Sequence, residues 1–212
     1  MSVNAQAHIP YDQRLARWLV RPLVNTQVHP NHLTALSFVL GAIAAALFAF
    51  GGAGAVNLAA GVYVLAVFTD HTDGELARQS GKTSPLGHKL DFIVGGLNYT
   101  LLFCGIGIGQ LSGELGVPGL LLGLAAGLSN PFILYLRLKL DERWGKKAWA
   151  HPAAAGFELE DFIYLIGPIT WILGLKYFFV PYALGTLGYL FWTIIEYRRW
   201  VRSESASNTH LK

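Results

Sequence analysis

The chain has 212 residues, of which 53% are hydrophobic and only 14% are charged, whereas a soluble domain carries about 25% charged residues. The apolar residues stand in long blocks, so the composition excludes an ordinary soluble enzyme and predicts an all-α membrane protein. A formal net charge of +3 without a basic stripe of interleaved aromatic residues excludes a nucleic-acid surface, and one cysteine excludes an internal disulfide.

The N-terminal segment, residues 1–29, predicts a loose tail followed by an amphipathic helix. Within it, Leu15, Trp18 and Leu19 recur at helical spacing among arginines, which is typical of a helix lying in the membrane interface. The alternative is an ordinary helix that faces water. We expect no cleavable signal peptide, because this segment is polar and has no early apolar core.

Six apolar segments follow, and each approaches the ~20 residues that cross a hydrocarbon core. They lie near residues 33–50, 55–72, 88–111, 117–138, 159–175 and 178–197. We therefore expect six transmembrane helices in one membrane domain, residues 30–200, and a flexible cytoplasmic tail at residues 201–212. Small residues recur one turn apart, as at Gly105 and Gly109, which predicts closely packed helices.

The basic residues predict the orientation of these helices. Of sixteen Lys and Arg residues, fifteen lie in the N-terminal segment, the C-terminal end or two longer loops expected at residues 73–89 and 137–147. Only Lys176 falls on the side of the short turns. The positive-inside rule then places both termini in the cytoplasm and the chain in the cytoplasmic (inner) membrane. We interpret Arg137 as an ordinary flanking charge, with a lipid-phosphate contact as the alternative.

Residues 70–91 place three carboxylates, Asp70, Asp73 and Asp91, where two apolar segments end. Ionisable groups beside a bilayer are costly, so such a cluster is a functional hypothesis. Carboxylates in this number suit a hard divalent cation, Mg²⁺ or Mn²⁺, which would hold a diphosphate. The alternative is a network of helix caps and salt bridges. His71 points about 100° away from Asp70 on a helix, so we interpret it as a filler, a residue that occupies space and does not bind the metal.

Three residues extend the face of Asp70 and Asp73 along the same helix. Gly74 and Ala77 carry almost no side chain and leave room for a ligand to approach the backbone. Arg78 ends the stretch with a guanidinium group suited to phosphate. The stretch therefore predicts a binding site for a phosphorylated ligand beside the carboxylates.

The pattern D-x-x-D-G-x-x-A-R, eight residues and then G-x-x-x-D resembles the signature of the CDP-alcohol phosphotransferases, also called CDP-alcohol phosphatidyltransferases. It is carried by Asp70, Asp73, Gly74, Ala77, Arg78, Gly87 and Asp91. The resemblance implies a membrane enzyme of phospholipid synthesis. Such an enzyme transfers a substituted phosphate from a CDP-linked donor to an alcohol, releases CMP and depends on a divalent metal. It also implies a homodimer among membrane lipids.

The resemblance further implies roles for individual residues. Asp70, Asp73 and Asp91 would hold the metal, and Gly87 would lie near the cytidine. A Pro-Asn-x-x-Thr motif at residues 30–34 matches one that lies near the nucleotide in the family. Asn31 and Thr34 carry it here, although Asn31 as a helix N-cap explains the motif equally well.

The chain departs from the family signature at Gly95, where the family has a fourth Asp four residues after the third. Three interpretations remain: a substitute base, a reaction with little help from a base, or a homologue that binds nucleotide without turnover. On spacing, His88 is the nearest substitute, because it shares a helix face with Asp91. The acids Glu158, Glu160 and Asp161 are other candidates, although acids at a helix start also complement its dipole.

Two donor schemes remain, namely CDP-diacylglycerol with a small polar alcohol, or a CDP-linked head group with a lipid alcohol. A membrane prenyltransferase also pairs Asp-rich motifs with a metal and a diphosphate, but such enzymes have two separated motifs and this chain has one block. A non-enzymatic alternative is a transporter or a lipid-binding pseudoenzyme, for which Gly95 is the best argument.

Overall fold

The computed structural model describes residues 11–145 and 159–209. Their regular elements are helical, which confirms the all-α class. The helices are α1 (Tyr11–Val20), α2 (Pro30–Phe50), α3 (Ala53–Ser80), α4 (Pro85–Gly109), α5 (Gly116–Trp144), α6 (Ile166–Ile172) and α7 (Leu175–Thr209), with short 3₁₀ helices at Arg21–Leu23, Gln110–Ser112 and Leu159–Leu165.

Five of the helices in the described part of the chain are long and apolar enough to cross a membrane, namely α2, α3, α4, α5 and α7. The segment expected at residues 159–175 is shorter. It consists of the 3₁₀ helix Leu159–Leu165 and the seven-residue α6, and its apolar helical part, Phe162–Ile172, falls short of a full span. The chain is therefore a helical membrane protein, and six crossings stay a prediction.

Three of the helices run well past the expected ends of their apolar segments, and among them α7 continues to Thr209. Helix α3 continues to Ser80 and α5 to Trp144. The prediction of loops is therefore wrong for residues 73–80 and 137–144, which are helical. Helices α3 and α5 both end where the next residue, Gly81 or Gly145, has a positive φ of 69° or 71°, a conformation that glycine adopts without strain. Only residues 81–84 connect α3 to α4.

The start of α2 differs from the predicted cap. His29 is the N-cap, and its Nδ1 accepts a hydrogen bond from the backbone N–H of Asn31 at 3.3 Å. Pro30 occupies the first helical position, where its missing N–H costs nothing. Asn31 as N-cap is therefore wrong, and its side chain is available for another role.

The prediction of close helix packing is confirmed between α2 and α4. A methyl group on Gly105 would collide with the backbone carbonyl of Ala45, and one on Gly109 would collide with that of Phe48. Small residues let these two helices approach to backbone contact. In contrast, a methyl group on Gly185 of α7 would meet no other part of the described chain within 4 Å.

Arg137 is buried inside the bundle, so its interpretation as a solvated flanking charge is wrong. Its side chain is 6% exposed, and Nη1 lies 3.0 Å from Oε2 of Glu196 on α7. The guanidinium also lies 5.2 Å from the centre of the Tyr189 ring. Burial of this cation is tolerated because a carboxylate and an aromatic face compensate for lost hydration.

Candidate metal and donor site

Two consecutive helices bring the three predicted carboxylates together. Asp70 and Asp73 lie one turn apart on α3, and Asp91 lies in the second turn of α4. Each offers an oxygen within 4.8 Å of the other two. Two ligands of one Mg²⁺ ion stand at most about 4.2 Å apart. The oxygen-only donor set therefore fits a hard divalent cation after a small adjustment of the side chains.

Hydroxyl groups from α2 orient two of these carboxylates. Thr34 donates a short hydrogen bond to Oδ2 of Asp73, and Ser37 donates one of 2.9 Å to Oδ1 of Asp70. Each bond engages one oxygen of its carboxylate and fixes the direction in which that group points. Thr34 therefore contacts a predicted ligand of the metal, consistent with its place in the Pro-Asn-x-x-Thr motif.

Sequence reasoning missed Ser37, which links the carboxylates to a deeper polar group. The amide of Asn98 on α4 donates to the Ser37 hydroxyl at 3.4 Å, and both residues are buried. The signal was available, because Ser37 follows Thr34 by three residues and so shares its helix face. A polar residue on that face of an apolar span could therefore have been predicted to lie beside the carboxylates, as Thr34 was predicted to lie near the nucleotide.

The signature arginine lies back along its own helix. Nη2 and Nε of Arg78 donate to Oε2 of Glu75 at 2.6 and 3.0 Å. Its Nη1 lies 3.4 Å from the place that a methyl group on Gly74 would take. Gly74 therefore leaves the guanidinium room to lie close to the helix backbone. Ala77 is partly buried on the same helix.

The starts of α2 and α4 meet at Gly87. Ser84 caps α4, and its hydroxyl accepts a hydrogen bond from the N–H of Gly87 at 2.9 Å. A methyl group on Gly87 would lie 3.0 Å from that hydroxyl and 3.3 Å from Oδ1 of Asn31. The two predicted nucleotide-binding residues, Asn31 and Gly87, are thus neighbours at the same end of the bundle as the carboxylates.

The structure describes the candidate bases in less detail than the carboxylates. His88 is exposed and precedes Asp91 by one turn of α4. Glu160 and Asp161 belong to the 3₁₀ helix Leu159–Leu165, but their side chains, like all of Glu158, lie outside the described residues.

His71 has a partner that its interpretation as a filler missed. Its Nδ1 lies 3.0 Å from the hydroxyl of Tyr164, and the two rings meet edge to face with centres 5.7 Å apart. Tyr164 stands in the 3₁₀ helix that precedes α6. This contact ties the segment after residue 158 to the signature helix.

Comparison with known protein families tests the resemblance. Residues 27–194 match the sequence model of the CDP-alcohol phosphatidyltransferases. The chain belongs to this family. The predicted family is therefore confirmed, and it is a family of CDP-alcohol phosphotransferases.

Individual relatives agree with membership in the CDP-alcohol phosphatidyltransferase family. The bifunctional IPC transferase and DIPP synthase of Rubrobacter xylanophilus is 34% identical over 101 residues, which make up 46% of this chain and 22% of that protein. The chain thus spans about a fifth of the length of that relative.

Two solved structures share the fold. Both are of the phosphatidylinositol phosphate synthase from Mycobacterium tuberculosis, one with CDP-DAG bound and one in complex with manganese and citrate. Their TM-scores are 0.63 and 0.64, and their sequence identities are 19% and 17%. The alignments cover 88% of this chain in each case, and 93% and 88% of those chains.

Against the family signature, Gly95 leaves an open position beside the carboxylates. It follows Asp91 by one turn of α4, and a methyl group placed on it would meet nothing within 4 Å. In the described residues, no neighbouring side chain lies where a side chain at residue 95 would begin. This family member therefore has space for the first carbon of a side chain at residue 95 and lacks the acid itself.

Proposed function

We propose that the chain transfers a substituted phosphate from a CDP-linked donor to an alcohol and releases CMP, with a divalent cation held by Asp70, Asp73 and Asp91. The observation that carries the proposal is the meeting of three carboxylate oxygens within 4.8 Å at the intact part of the family signature. Manganese in one structure of a relative with the same fold supports the choice of Mg²⁺ or Mn²⁺.

The cation would neutralise the phosphate oxygens and the CMP leaving group as charge develops on them. Arg78 would bind a donor phosphate by charge-assisted hydrogen bonds. Thr34 and Ser37 help to orient Asp73 and Asp70 through the bonds described above. Asn31 and Gly87 would contact the nucleotide, and Gly74 and Ala77 would leave space for it. Together these residues bind and orient the anhydride for attack.

In the reaction the acceptor hydroxyl oxygen forms a bond to the phosphorus that carries the alkyl group. The bond from this phosphorus to the bridging oxygen breaks, and the electron pair leaves with CMP. The hydroxyl proton must go to a base, which His88, Glu160 or Asp161 would supply in place of the missing acid at Gly95. A general base contributes about 10²- to 10⁴-fold, so a weak substitute would slow turnover without abolishing it.

CDP-diacylglycerol is the donor that we propose first. A structure of a relative with the same fold contains CDP-DAG, and the apolar helices beside the carboxylates suit a donor with acyl chains. A CDP-linked head group with a lipid alcohol as acceptor is the alternative. The acceptor is an alcohol whose identity the arrangement of these side chains does not select.

The test is release of CMP by the purified full-length chain in detergent. CDP-diacylglycerol and CDP-linked head groups are each combined with a panel of polar and lipid alcohols in the presence of Mg²⁺ or Mn²⁺. We expect acceptor-dependent CMP release from one donor class. Donor binding without CMP release from any pair would instead identify a homologue that binds the donor without turnover.

We also propose that the protein lies in the cytoplasmic (inner) membrane as a homodimer, with the carboxylates and both termini facing the cytoplasm. Two cytoplasmic termini require an even number of crossings, and the segment Leu159–Ile172 would supply the sixth. Its first half is a 3₁₀ helix, which lengthens the segment because it rises about 2.0 Å per residue. Helix α1 would lie in the interface, with Leu15, Trp18 and Leu19 exposed at 51%, 64% and 40% and available for lipid.

A further inference from the structure

A buried carboxylate inside the signature, Glu75, joins the N-terminal helix to the signature arginine. Its side chain is only 3% exposed. Oε1 accepts a hydrogen bond from Nε of Arg17 at 2.6 Å, whereas Oε2 accepts both bonds from Arg78. Each oxygen of Glu75 therefore serves one guanidinium. A buried charge needs such partners, because its lost hydration is otherwise uncompensated.

Arg17 reaches Glu75 from a helix whose backbone is itself fixed. On α1, Ala16 and Val20 are buried, with exposures of 0% and 1%. The side-chain amide of Gln79 on α3 donates to the backbone carbonyl of Arg17 at 3.1 Å. The Arg17 guanidinium is thus delivered by a docked helix, and its bond to Glu75 is not the chance contact of a free surface side chain.

The bonds to Glu75 use one edge of the Arg78 guanidinium, the edge formed by Nε and Nη2. The Nη1 end lies over Gly74, and the side chain is 56% exposed. One edge is therefore held by protein, and the opposite end remains for a ligand. A guanidinium that is oriented before the ligand arrives loses less conformational entropy on binding.

We propose that Glu75 and Arg17 are positioning residues for Arg78. Helix α1, which carries Arg17, would then contribute to the binding of the donor. The inference rests on the proposed function, in which Arg78 binds a phosphate of the donor. Glu75 occupies a variable position of the signature pattern, and Arg17 lies 58 residues earlier in the chain. The orientation of Arg78 therefore depends on Arg17, a residue outside the signature.

Arg17 and Glu75 could affect donor binding through their charge alone or by positioning Arg78. The two hypotheses predict different donor affinities for the variants, so an experiment can separate them. Two arginines and one glutamate carry a net charge of +1. Arg17→Gln lowers this charge to 0, and Glu75→Gln raises it to +2. If charge alone mattered, the first variant would weaken binding of an anionic donor and the second would strengthen it. If positioning matters, both weaken it, because Glu75→Gln releases the guanidinium that it oriented.

The experiment measures binding of CDP-diacylglycerol, with Mg²⁺ present, to the full-length chain in detergent. The donor-dependent rise of the unfolding midpoint yields a dissociation constant, and CMP release yields KM and kcat for the same samples. The variants are Arg17→Gln, Glu75→Gln and Arg17→Lys. Arg21→Gln is the matched control, since Arg21 is exposed in the same N-terminal segment and makes no ion pair with the other described residues.

We expect Arg17→Gln and Glu75→Gln each to weaken donor binding about tenfold and to raise the donor KM more than they lower kcat. Arg17→Lys retains most of the binding, and Arg21→Gln behaves as the unaltered chain. The unfolding midpoint without donor shows whether each variant folds. If Glu75→Gln does not fold, donor binding by Arg17→Gln and Arg17→Lys alone tests the positioning role.

Unchanged donor binding in Arg17→Gln, or tighter binding in Glu75→Gln, overturns the positioning role. If the unaltered chain binds CDP-diacylglycerol but releases no CMP with any acceptor, the proposed reaction fails, and the binding data still decide the role of Arg17. If the unaltered chain binds no donor, both proposals fail.

Discussion

Ser37 of α2 donates a hydrogen bond of 2.9 Å to Oδ1 of Asp70 in α3. Because Ser37 also accepts from Asn98 of α4 at 3.4 Å, one buried polar chain joins three helices beside the carboxylates. Loss of the hydroxyl removes one hydrogen bond that orients Asp70 and leaves the buried amide of Asn98 without this acceptor. We expect Ser37→Ala to raise the metal concentration for half-maximal CMP release by about tenfold.

The matched control for this variant is Ser129→Ala in α5. That hydroxyl is also buried, but it donates to the backbone carbonyl of Ala125, on another helix from the carboxylates. Its loss should leave the metal requirement unchanged. An equal metal requirement in both variants would show that Ser37 does not support the metal site.

Removal of the metal should abolish transfer. We expect no CMP release in the presence of a chelator, with activity restored by Mg²⁺ or Mn²⁺. Asp70→Asn, Asp73→Asn and Asp91→Asn should each lower kcat/KM by more than the about 10- to 100-fold that loss of an outer partner of a metal ligand costs. Full activity in chelator, or in Asp91→Asn, would contradict the metal scheme.

Gly95→Asp should fold, because a side chain at residue 95 begins in open space. It places a carboxylate one turn after Asp91 on the same helix face. We expect one of His88→Ala, Glu160→Gln and Asp161→Asn to lower kcat by about 10²-fold, and Gly95→Asp to restore part of that loss. Gly95→Asn is the control, since it has the same size without the charge.

The same variant also tests whether the native chain is an enzyme. Suppose the native chain releases no CMP from any donor and acceptor, while Gly95→Asp releases it readily. The native protein would then be a binding homologue that lost its base, and the substitute-base hypothesis would be wrong.

Labelling of single cysteines counts the membrane crossings. In a Cys104→Ala background, the exposed positions Gln27, Ser112 and Ser203 are changed to Cys one at a time and treated with a membrane-impermeant reagent from outside intact cells. We expect labelling at residue 112 alone, because both termini are proposed to be cytoplasmic. Labelling of only one of residues 27 and 203 would show an odd number of crossings, with Leu159–Ile172 not spanning.

Backbone contact between α2 and α4 should make Gly105 intolerant of even a methyl group. Gly105→Ala forces that group against the carbonyl of Ala45, and overpacking of this kind costs about 1–3 kcal/mol. Gly185→Ala in α7 meets nothing in the described chain, and replacing a helical glycine with alanine typically stabilises by about 0.5–1 kcal/mol. Unfolding midpoints of both variants in detergent check the contrast.

The features that the sequence predicted are those encoded locally. Asp70 and Asp73 share a helix face because of their spacing, and Asp91 joins them because only a short loop separates α3 from α4. The apolar blocks likewise predicted the helical class. A signature confined to residues 70–91 therefore predicted its own clustering without knowledge of the remaining packing.

The remaining features depend on contacts between distant parts of the chain. Glu75 meets Arg17 across 58 residues, and His71 meets Tyr164 across 93. Helical periodicity shows which face a residue occupies but not which helix covers that face. Helix ends were also misplaced, since polar residues at the ends of α3 and α5 continue the helix beyond the apolar segment.

The position of the carboxylates along the chain has a consequence for the order of membrane insertion. The three acids and the hydroxyls of Thr34 and Ser37 all lie in α2, α3 and α4. Consecutive helices pair early, because the chain between them is short and closing it costs little entropy. We expect this cation site to assemble while the C-terminal helices are still being synthesised. A bound ion would then stabilise the incompletely synthesised chain by mass action. Helices α5 and α7 would pack afterwards against a preformed unit of three helices.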